Sequence, residues 1–424
     1  MRLYLRTFGC RANQYDSEAV RAMVERAGGS VVEAPGEADV ALFNSCAVTA
    51  EAEADLRQSV RRAARENPAL TTVVMGCAAA LAPPTGAPGS LRDLPTVAHV
   101  IGGADLPAVA AVLDLPPAAL GSPAVQTGAR ALLRIQDGCD EHCTFCATTL
   151  ARGASRSRPA GQLIDEARRL AQRHPEIVLT GVHIGSYGVD AGSSLGELVE
   201  RLVAGVPDAR FRLSSLEATE VDDRLLALLA GDPRRVAPYL HAPLQSGSDR
   251  VLKRMGRHWY TAERYAEAVR TVVAGRSVFG LGADVIAGFP GETEEDHRAT
   301  LAVVEALPFT GLHVFPYSVR PGTAAARLGA RVPGDVVARR AAELREAGGR
   351  RRAAYEAARA GGEADVVVVG EGAKREGLTE DYISVELGAP GEGPALPRGA
   401  RFRARLVPAE TGSRRTLAAV PLAP

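Results

Sequence analysis

The stretch "DGCDEHCTFCATTL", residues 137–150, carries three of the chain's six cysteines within eight residues. Cys139, Cys143 and Cys146 are spaced C-x-x-x-C-x-x-C, and no fourth cysteine follows nearby. A tetrahedral zinc site or a four-thiolate cluster needs one more ligand. A four-iron cubane held by three thiolates leaves one iron without a protein ligand. A small molecule can chelate that iron, as it does at the open position of catalytic metal sites. Zinc, with His142 inside the loop, is the competing reading of the same residues.

The surroundings of this loop set the fold. From Ala131 to about Gly329, strand-like runs alternate with helical ones: "ALLRIQ", "EIVLTG", "RFRLSS", "APYLHA", "LGADVIAG" and "LHVFPY". Helical periodicity occupies residues 160–173, 195–204, 220–230, 261–274 and 293–306 between them. Six β/α units predict an open or partial barrel, smaller than the closed eight-unit form. Cys139, Gly181, Ser214, Gln245, Asp284 and Tyr317 fall at strand ends, the face that carries chemistry in parallel barrels.

Upstream, "LYLRTF", "ADVALFN" and "TTVVM" read as buried strands, with helices expected at 16–27 and 50–66. This alternation predicts a parallel sheet with helical crossovers. Cys10, Cys46 and Cys77 each follow one of these strands. A lone cysteine most often ends as a small buried hydrophobe. The same placement three times argues instead for convergence at the carboxyl edge of one sheet, where α/β folds bind ligands. Between Ala82 and Gly128, "APPTGAPG" and "LPPAALGSP" bracket a short strand–helix unit ("VAHVIGG", then 105–113) and place a domain junction near residue 125.

Downstream, residues 334–360 read as an arginine-rich helix with a solvated face, its run Arg350–Arg352 a weak RNA signal. After Gly361–Gly362, "ADVVVVGEG", "YISVELG" and "ARFRARLVPAE" predict a small antiparallel barrel. Arg401, Arg403 and Arg405 alternate in "RFRAR", so a strand presents all three on one face, suited either to a phosphate backbone or to solubility. The expected domains are therefore 1–125, 126–332, a helical connection 333–361, and a terminal barrel 362–424.

Lysine plus arginine balance aspartate plus glutamate at 50 each, so net charge makes no case for nucleic acid or membrane. Lys253 and Lys374 are the only lysines, and arginine richness in this Ala-, Gly- and Pro-rich chain reflects composition before function. No stretch is long and apolar enough for a membrane span, and "MRLYLRTFGC" lacks a secretory signal's apolar core, so a cytoplasmic location without membrane contact is expected. Six cysteines in that reducing setting point to metal or redox chemistry over disulfides.

"DGCDEHCTFC" resembles the cluster loop of radical S-adenosylmethionine (SAM) enzymes. "TFGCRANQYDSE", "NSCAVTAEAE" and "VMGC" are similar to the amino-terminal domain of the methylthiotransferases within that superfamily. "LTGVHIGSYG", "LHAPLQSGSDRVLKRMGRHW", "ADVIAGFPGETEED" and "HVFPYSVRPGT" match further blocks of their radical domain. The resemblance implies two 4Fe–4S clusters, one on Cys139, Cys143 and Cys146 and one on Cys10, Cys46 and Cys77, with no catalytic residue known beyond these ligands. It implies that one SAM methylates a sulfur on the second cluster and that another yields a deoxyadenosyl radical, which removes hydrogen from an adenine carbon. Gly181, Ser214, Glu217, Ile286 and Gly288 are then candidates for SAM binding, although the glycines also suit turns and Glu217 suits a helix cap.

The terminal barrel resembles the family's RNA-binding (TRAM) module, with Arg401, Arg403 and Arg405 toward the tRNA anticodon arm. A reductant such as flavodoxin or ferredoxin is implied, and the sulfur donor stays open. "LTGVHIGSYG" looks most like enzymes acting on N6-threonylcarbamoyladenosine at its carbon 2. Siblings acting on isopentenyladenosine or on a ribosomal-protein aspartate are alternatives, as is a non-catalytic zinc-bearing RNA-binding protein. The chain departs from the family after Cys77 ("AAA" for Tyr–Ala–Gln) and after Cys146 ("ATTL" for an aliphatic pair and proline).

Overall fold

A computed structural model describes residues 1–370, 376–388, 396–410, 413 and 415–422. Five parallel strands form the amino-terminal sheet, in the spatial order Ser30–Val32, Arg2–Thr7, Val40–Ser45, Thr71–Gly76, Val97–Gly102. Taken in chain order this is 2-1-3-4-5, a doubly wound arrangement whose switch point lies between the first and third strands. The helix after the first strand, Arg11–Arg26, starts five residues earlier than its periodicity predicts. Gly9, at φ +115°, turns the chain sharply and leaves Cys10 at the helix N-cap. The helix Ala50–Glu66 is capped by Thr49, whose hydroxyl accepts from the Ala52 amide at 3.2 Å.

Six further parallel strands follow in sequential order. Ala131–Arg134, Glu176–Thr180 and Arg210–Leu213 form one half, and Tyr239–His241, Gly280–Ala287 and Gly311–Pro316 the other. Parallel bridges Phe211–Val236 and Ser215–His241 join the halves. No pairing joins the last strand to the first among the described residues, so the partial barrel is open. Leu133, Leu179, Phe211, Leu240, Leu281 and Val285 fill its core. A short helix, Asp249–Arg254, was not apparent in the sequence pattern.

The long helix Gly334–Arg359 corrects the expectation of a simply solvated face. Ala341, Leu344 and Ala347 are buried in the barrel core, and a Cβ on Gly348 would meet the Leu312 Cβ at 2.8 Å. Its arginine run is neutralised locally, with Arg350 bonded to Glu346 and Glu305 and Arg352 to Glu356.

Glu363–Val368, Glu376–Leu378, Ser384–Leu387, Leu417–Pro421 and Arg401–Pro408 close into the terminal barrel. Four of its pairings are antiparallel, while Ser384–Leu387 and Leu417–Pro421 run parallel. Residues 371 and 372 of the first expected strand lie outside the described residues. This barrel docks on the amino-terminal ends of the radical-domain strands. Arg212 donates to the Glu380 and Thr379 carbonyls, and Tyr382 stacks on Tyr239 with ring centroids 4.5 Å apart. The carboxyl ends of those strands are left for the site.

Candidate functional site

Two cysteine triads meet where the amino-terminal sheet abuts the open barrel. Cys10 and Cys46 follow the two strands that flank the switch point, and Cys77 follows the next. A Cβ on Gly9 would lie 2.9 Å from the Cys46 sulfur, so only glycine lets the Cys10 turn come this close. Cys139, Cys143 and Cys146 occupy the loop between the strand Gln136–Asp137 and the helix Thr148–Arg152. Gly138 (φ +76°) brings that loop against residues 153 and 154, where a Cβ would overlap the Ala154 carbonyl at 1.9 Å.

The sulfurs are approached by hydrogen-bond donors in a repeated manner. The amide two residues on donates to Cys46 (from Val48), Cys139 (from Glu141) and Cys146 (from Thr148), each at 3.4 Å. Arg152 Nε reaches the Cys77 sulfur and Arg257 Nη1 the Cys143 sulfur, again at 3.4 Å. Donors converging on sulfur suit thiolate ligands of a cluster, and all six cysteines are free. Burial pushes the Cys77 thiol up to about 11 against the pull of Arg152, and the Cys143 thiol up to about 12 against that of Arg257. Buried thiols of this kind ionise when a metal takes the proton's place. The donor set therefore fits two three-cysteine iron–sulfur sites.

Arg152 and Arg257 were not evident in the sequence, because both act through distant partners. Arg152, fully buried, also donates to Asp16 at 2.8 Å and to Asp137 at 3.0 Å, tying the amino-terminal helix to the cluster loop. Arg257 pairs with Glu217, lies over Trp259, and donates to the Tyr260 hydroxyl at 2.9 Å. Burial raises the Glu217 carboxyl above its usual range against the pull of the adjoining Arg257 guanidinium. His183 bonds Glu220 at 2.8 Å and lies 3.8 Å from the Cys139 sulfur.

The SAM candidates divide. Ser214 and Glu217 follow the strand Arg210–Leu213, and Glu217 is linked to Cys143 through Arg257. Glu217 occupies the N-cap position of the short turn Ala218–Glu220, but its side chain makes no cap bond. Gly181 is close to protein: a Cβ there would lie 2.8 Å from Gln136 Oε1, which accepts from the Val182 and His183 amides. Ile286 lines the cavity described next. At Gly288 a Cβ would meet Val337 of the long helix at 2.4 Å, so the glycine lets that helix pack closely.

A cavity of about 210 Å³ lies between the turn after Cys46 and the end of the cluster loop at Cys146. Ala47, Val48 and Thr49 come from the Cys46 turn, Phe145, Cys146 and Ala147 from the cluster loop, and Gln245, Asp284, Ile286 and Phe315 from the barrel. A larger cavity of about 400 Å³, between the helix Arg11–Arg26 and residues 126–132, contains no cysteine. Only the smaller one has a cysteine of either triad in its wall.

The arginine face of the terminal barrel is only partly as expected. Arg401, Arg403 and Arg405 do alternate outward from a strand whose Ala404 and Leu406 are buried. Arg401, however, donates twice to Asp365 at 2.7 Å and once to the Arg234 carbonyl at 3.0 Å, so it serves the docking with the radical domain. Arg403 pairs with Glu363, and Arg405 is exposed.

An open parallel barrel with a three-cysteine loop at its carboxyl face defines the class of radical SAM enzymes. Residues 133–304 match the Radical SAM superfamily, and residues 2–101 match the Uncharacterized protein family UPF0004. The fold is shared with the radical S-adenosylmethionine methyltransferase TsrM from Kitasatospora setae at a TM-score of 0.57 and 16% identity, over 77% of each chain. The chain is 33% identical over 405 residues to the threonylcarbamoyladenosine tRNA methylthiotransferase MtaB of Aquifex aeolicus, covering 91% of this chain and 96% of that one. It is 34% identical to the MtaB of Rickettsia prowazekii, covering 96% and 95%. It is also 34% identical to the tRNA-2-methylthio-N(6)-dimethylallyladenosine synthase of Erythrobacter litoralis, covering 86% and 85%. The chain belongs to the radical SAM methylthiotransferase family. It is a transferase that uses SAM and two 4Fe–4S clusters.

Proposed function

We propose that the chain inserts a methylthio group at carbon 2 of N6-threonylcarbamoyladenosine, next to the anticodon of tRNA. The observation that carries this reading is the cavity walled by residues of both cysteine turns, where one substrate carbon can lie within reach of both sites. Relatives named for threonylcarbamoyladenosine support the nucleoside, while those named for dimethylallyladenosine mark the alternative.

Cys139, Cys143 and Cys146 hold the cluster that binds SAM, and Cys10, Cys46 and Cys77 hold the cluster that carries sulfur. When bound, these groups supply the radical that removes the substrate hydrogen and the methylthio group that replaces it. The chain's own part is placement. Ser214 and Glu217 bind SAM beside the cluster loop, and Arg257 orients Glu217. Phe145, Ile286 and Phe315 give the base an apolar wall and exclude water from a reactive carbon. An anticodon-loop base is unpaired and can be splayed into this cavity.

The test is twofold. Nucleosides of tRNA from a strain lacking the gene should lose the methylthio form of threonylcarbamoyladenosine. The purified, reconstituted protein should form it on tRNA that carries the unmethylthiolated nucleoside. Loss of the isopentenyl derivative instead would transfer the assignment to the sibling activity.

A further inference from the structure

The last strand of the partial barrel, Gly311–Pro316, is an edge: among the described residues it pairs only with Gly280–Ala287. Alternate side chains of a strand share one face, and His313 and Phe315 are such a pair, with ring centroids 6.4 Å apart. Phe315 lines the cavity and is 37% exposed, while the His313 side chain is 64% exposed. The reading above uses Phe315 and leaves His313 without a task.

His313 differs from an ordinary surface histidine because three neighbours hold its ring. Its Nδ1 donates to Asp284 at 3.2 Å, and His241 lies tilted against it with centroids 5.2 Å apart. Phe315 meets it at an interplanar angle of 81°. An exposed ring that is already fixed loses little side-chain freedom on contact, which is what a stacking surface requires. The backing continues away from the cavity. The Tyr239 hydroxyl lies 3.4 Å from His241 Nδ1, and Tyr239 stacks on Tyr382 of the terminal barrel. The rings thus form a row from the cavity to the terminal barrel. Tyr239 and His241 are buried within it, and His313 and Phe315 are its open end.

We propose that His313 stacks the nucleobase next to the target base while Phe315 meets the target base itself, so that an anticodon loop enters the cavity along this edge strand. The proposal rests on the reading of the substrate as tRNA. Unpaired bases of RNA loops are recognised by stacking on aromatic side chains, histidine among them. The ring spacing of 6.4 Å is almost twice the roughly 3.4 Å between neighbours in a stacked strand, so it fits bases that have left their stack. The direction fits as well. RNA held by the terminal barrel, which docks at the amino-terminal strand ends, passes residue 313 before residue 315 on its way to the cavity. Stacking reads the face that every base has, so this contact places the loop and does not choose between substituents on N6.

The experiment measures affinities of the cluster-loaded full chain, without SAM, for anticodon stem-loop RNAs carrying threonylcarbamoyladenosine. A complete loop is compared with two others, in which an abasic nucleotide replaces the neighbour on one side of the target or on the other. His313→Ala should lose roughly 5- to 100-fold in affinity for the complete loop, the size of one base–aromatic stack. One abasic loop should bind wild-type protein about as weakly, and on that loop His313→Ala should cause no further loss. His313→Phe, which keeps a ring and gives up the bond to Asp284, should retain most of the affinity. Iron content and the visible spectrum of each variant check that both sites remain loaded. Unchanged affinity of His313→Ala for the complete loop overturns the proposal. An equal loss on all the loops also overturns it, because it assigns the contact to a phosphate or sugar present in each. A loss in His313→Phe as large as in His313→Ala does the same, since it assigns the contact to a hydrogen bond of the imidazole. If wild-type protein binds the stem-loop no better than a hairpin with an unrelated loop, the reading of the substrate as tRNA fails, and the proposal with it.

Discussion

The two cysteine triads reach similar chemistry by opposite routes. Cys139, Cys143 and Cys146 sit in one loop, half-buried, and their spacing is a property of a few consecutive residues. Cys10, Cys46 and Cys77 sit at three strand ends, with Cys46 and Cys77 buried, and they come together only once the sheet has formed. Their support differs in the same way. The loop triad takes Arg257 from its own domain, while the sheet triad takes Arg152 from the other domain, six residues after Cys146. The sheet site thus takes a sulfur contact from the radical domain, whereas the sulfur contact of the loop site comes from within that domain.

Exchanging those arginines is the strongest way to break this asymmetry. Arg152→Met removes a buried guanidinium that holds Asp16 and Asp137 across the domain junction and should cost about 3 kcal/mol, with Arg134 still pairing Asp16. Denaturant unfolding and iron content should show lower stability and a weakened sheet site. Arg257→Met should leave the sheet site's iron in place and impair only the loop site. Equal loss from both sites in both variants would end the asymmetry.

A smaller effect is expected at Glu217. Glu217→Ala deletes the partner of Arg257 and a candidate SAM contact, and equilibrium binding of SAM should weaken about tenfold. Normal binding would leave Glu217 a purely structural partner of Arg257.

The mildest change concerns the terminal barrel. Replacing Arg403 and Arg405 by alanine should flatten the salt dependence of tRNA binding by about 0.7 to 0.9 log units per log salt for each phosphate left without its arginine. Arg401→Ala should instead loosen the docking of this barrel and lower stability, since Arg401 is bonded to Asp365 and the Arg234 carbonyl. A double variant with an unaltered slope would remove the face from the RNA interface.

The same contrast explains what could be read from the chain before folding. The loop triad is legible because its ligands are neighbours, and the strand-end logic extended the reading to Cys10, Cys46 and Cys77. The six parallel strands and most helices were legible from periodicity, for example residues 50–66 against Ala50–Glu66 in the structure. Arg152 and Arg257 were not, because nothing local separates a buried arginine from the many others in this composition. Their meaning lies in partners distant in the chain. The long helix misled for a related reason: i,i+4 Glu–Arg pairs dominate its sequence, while Leu344 and Ala347 carry its packing.

The most direct test of the account is a variant with Cys10, Cys46 and Cys77 all changed to alanine, purified anaerobically and reconstituted. Iron, sulfide, 5′-deoxyadenosine and methylthiolated nucleoside are measured together. The account predicts about half the wild-type iron, continued reductive cleavage of SAM, and no methylthio product. Loss of both activities while the cluster on Cys139, Cys143 and Cys146 remains intact would contradict it.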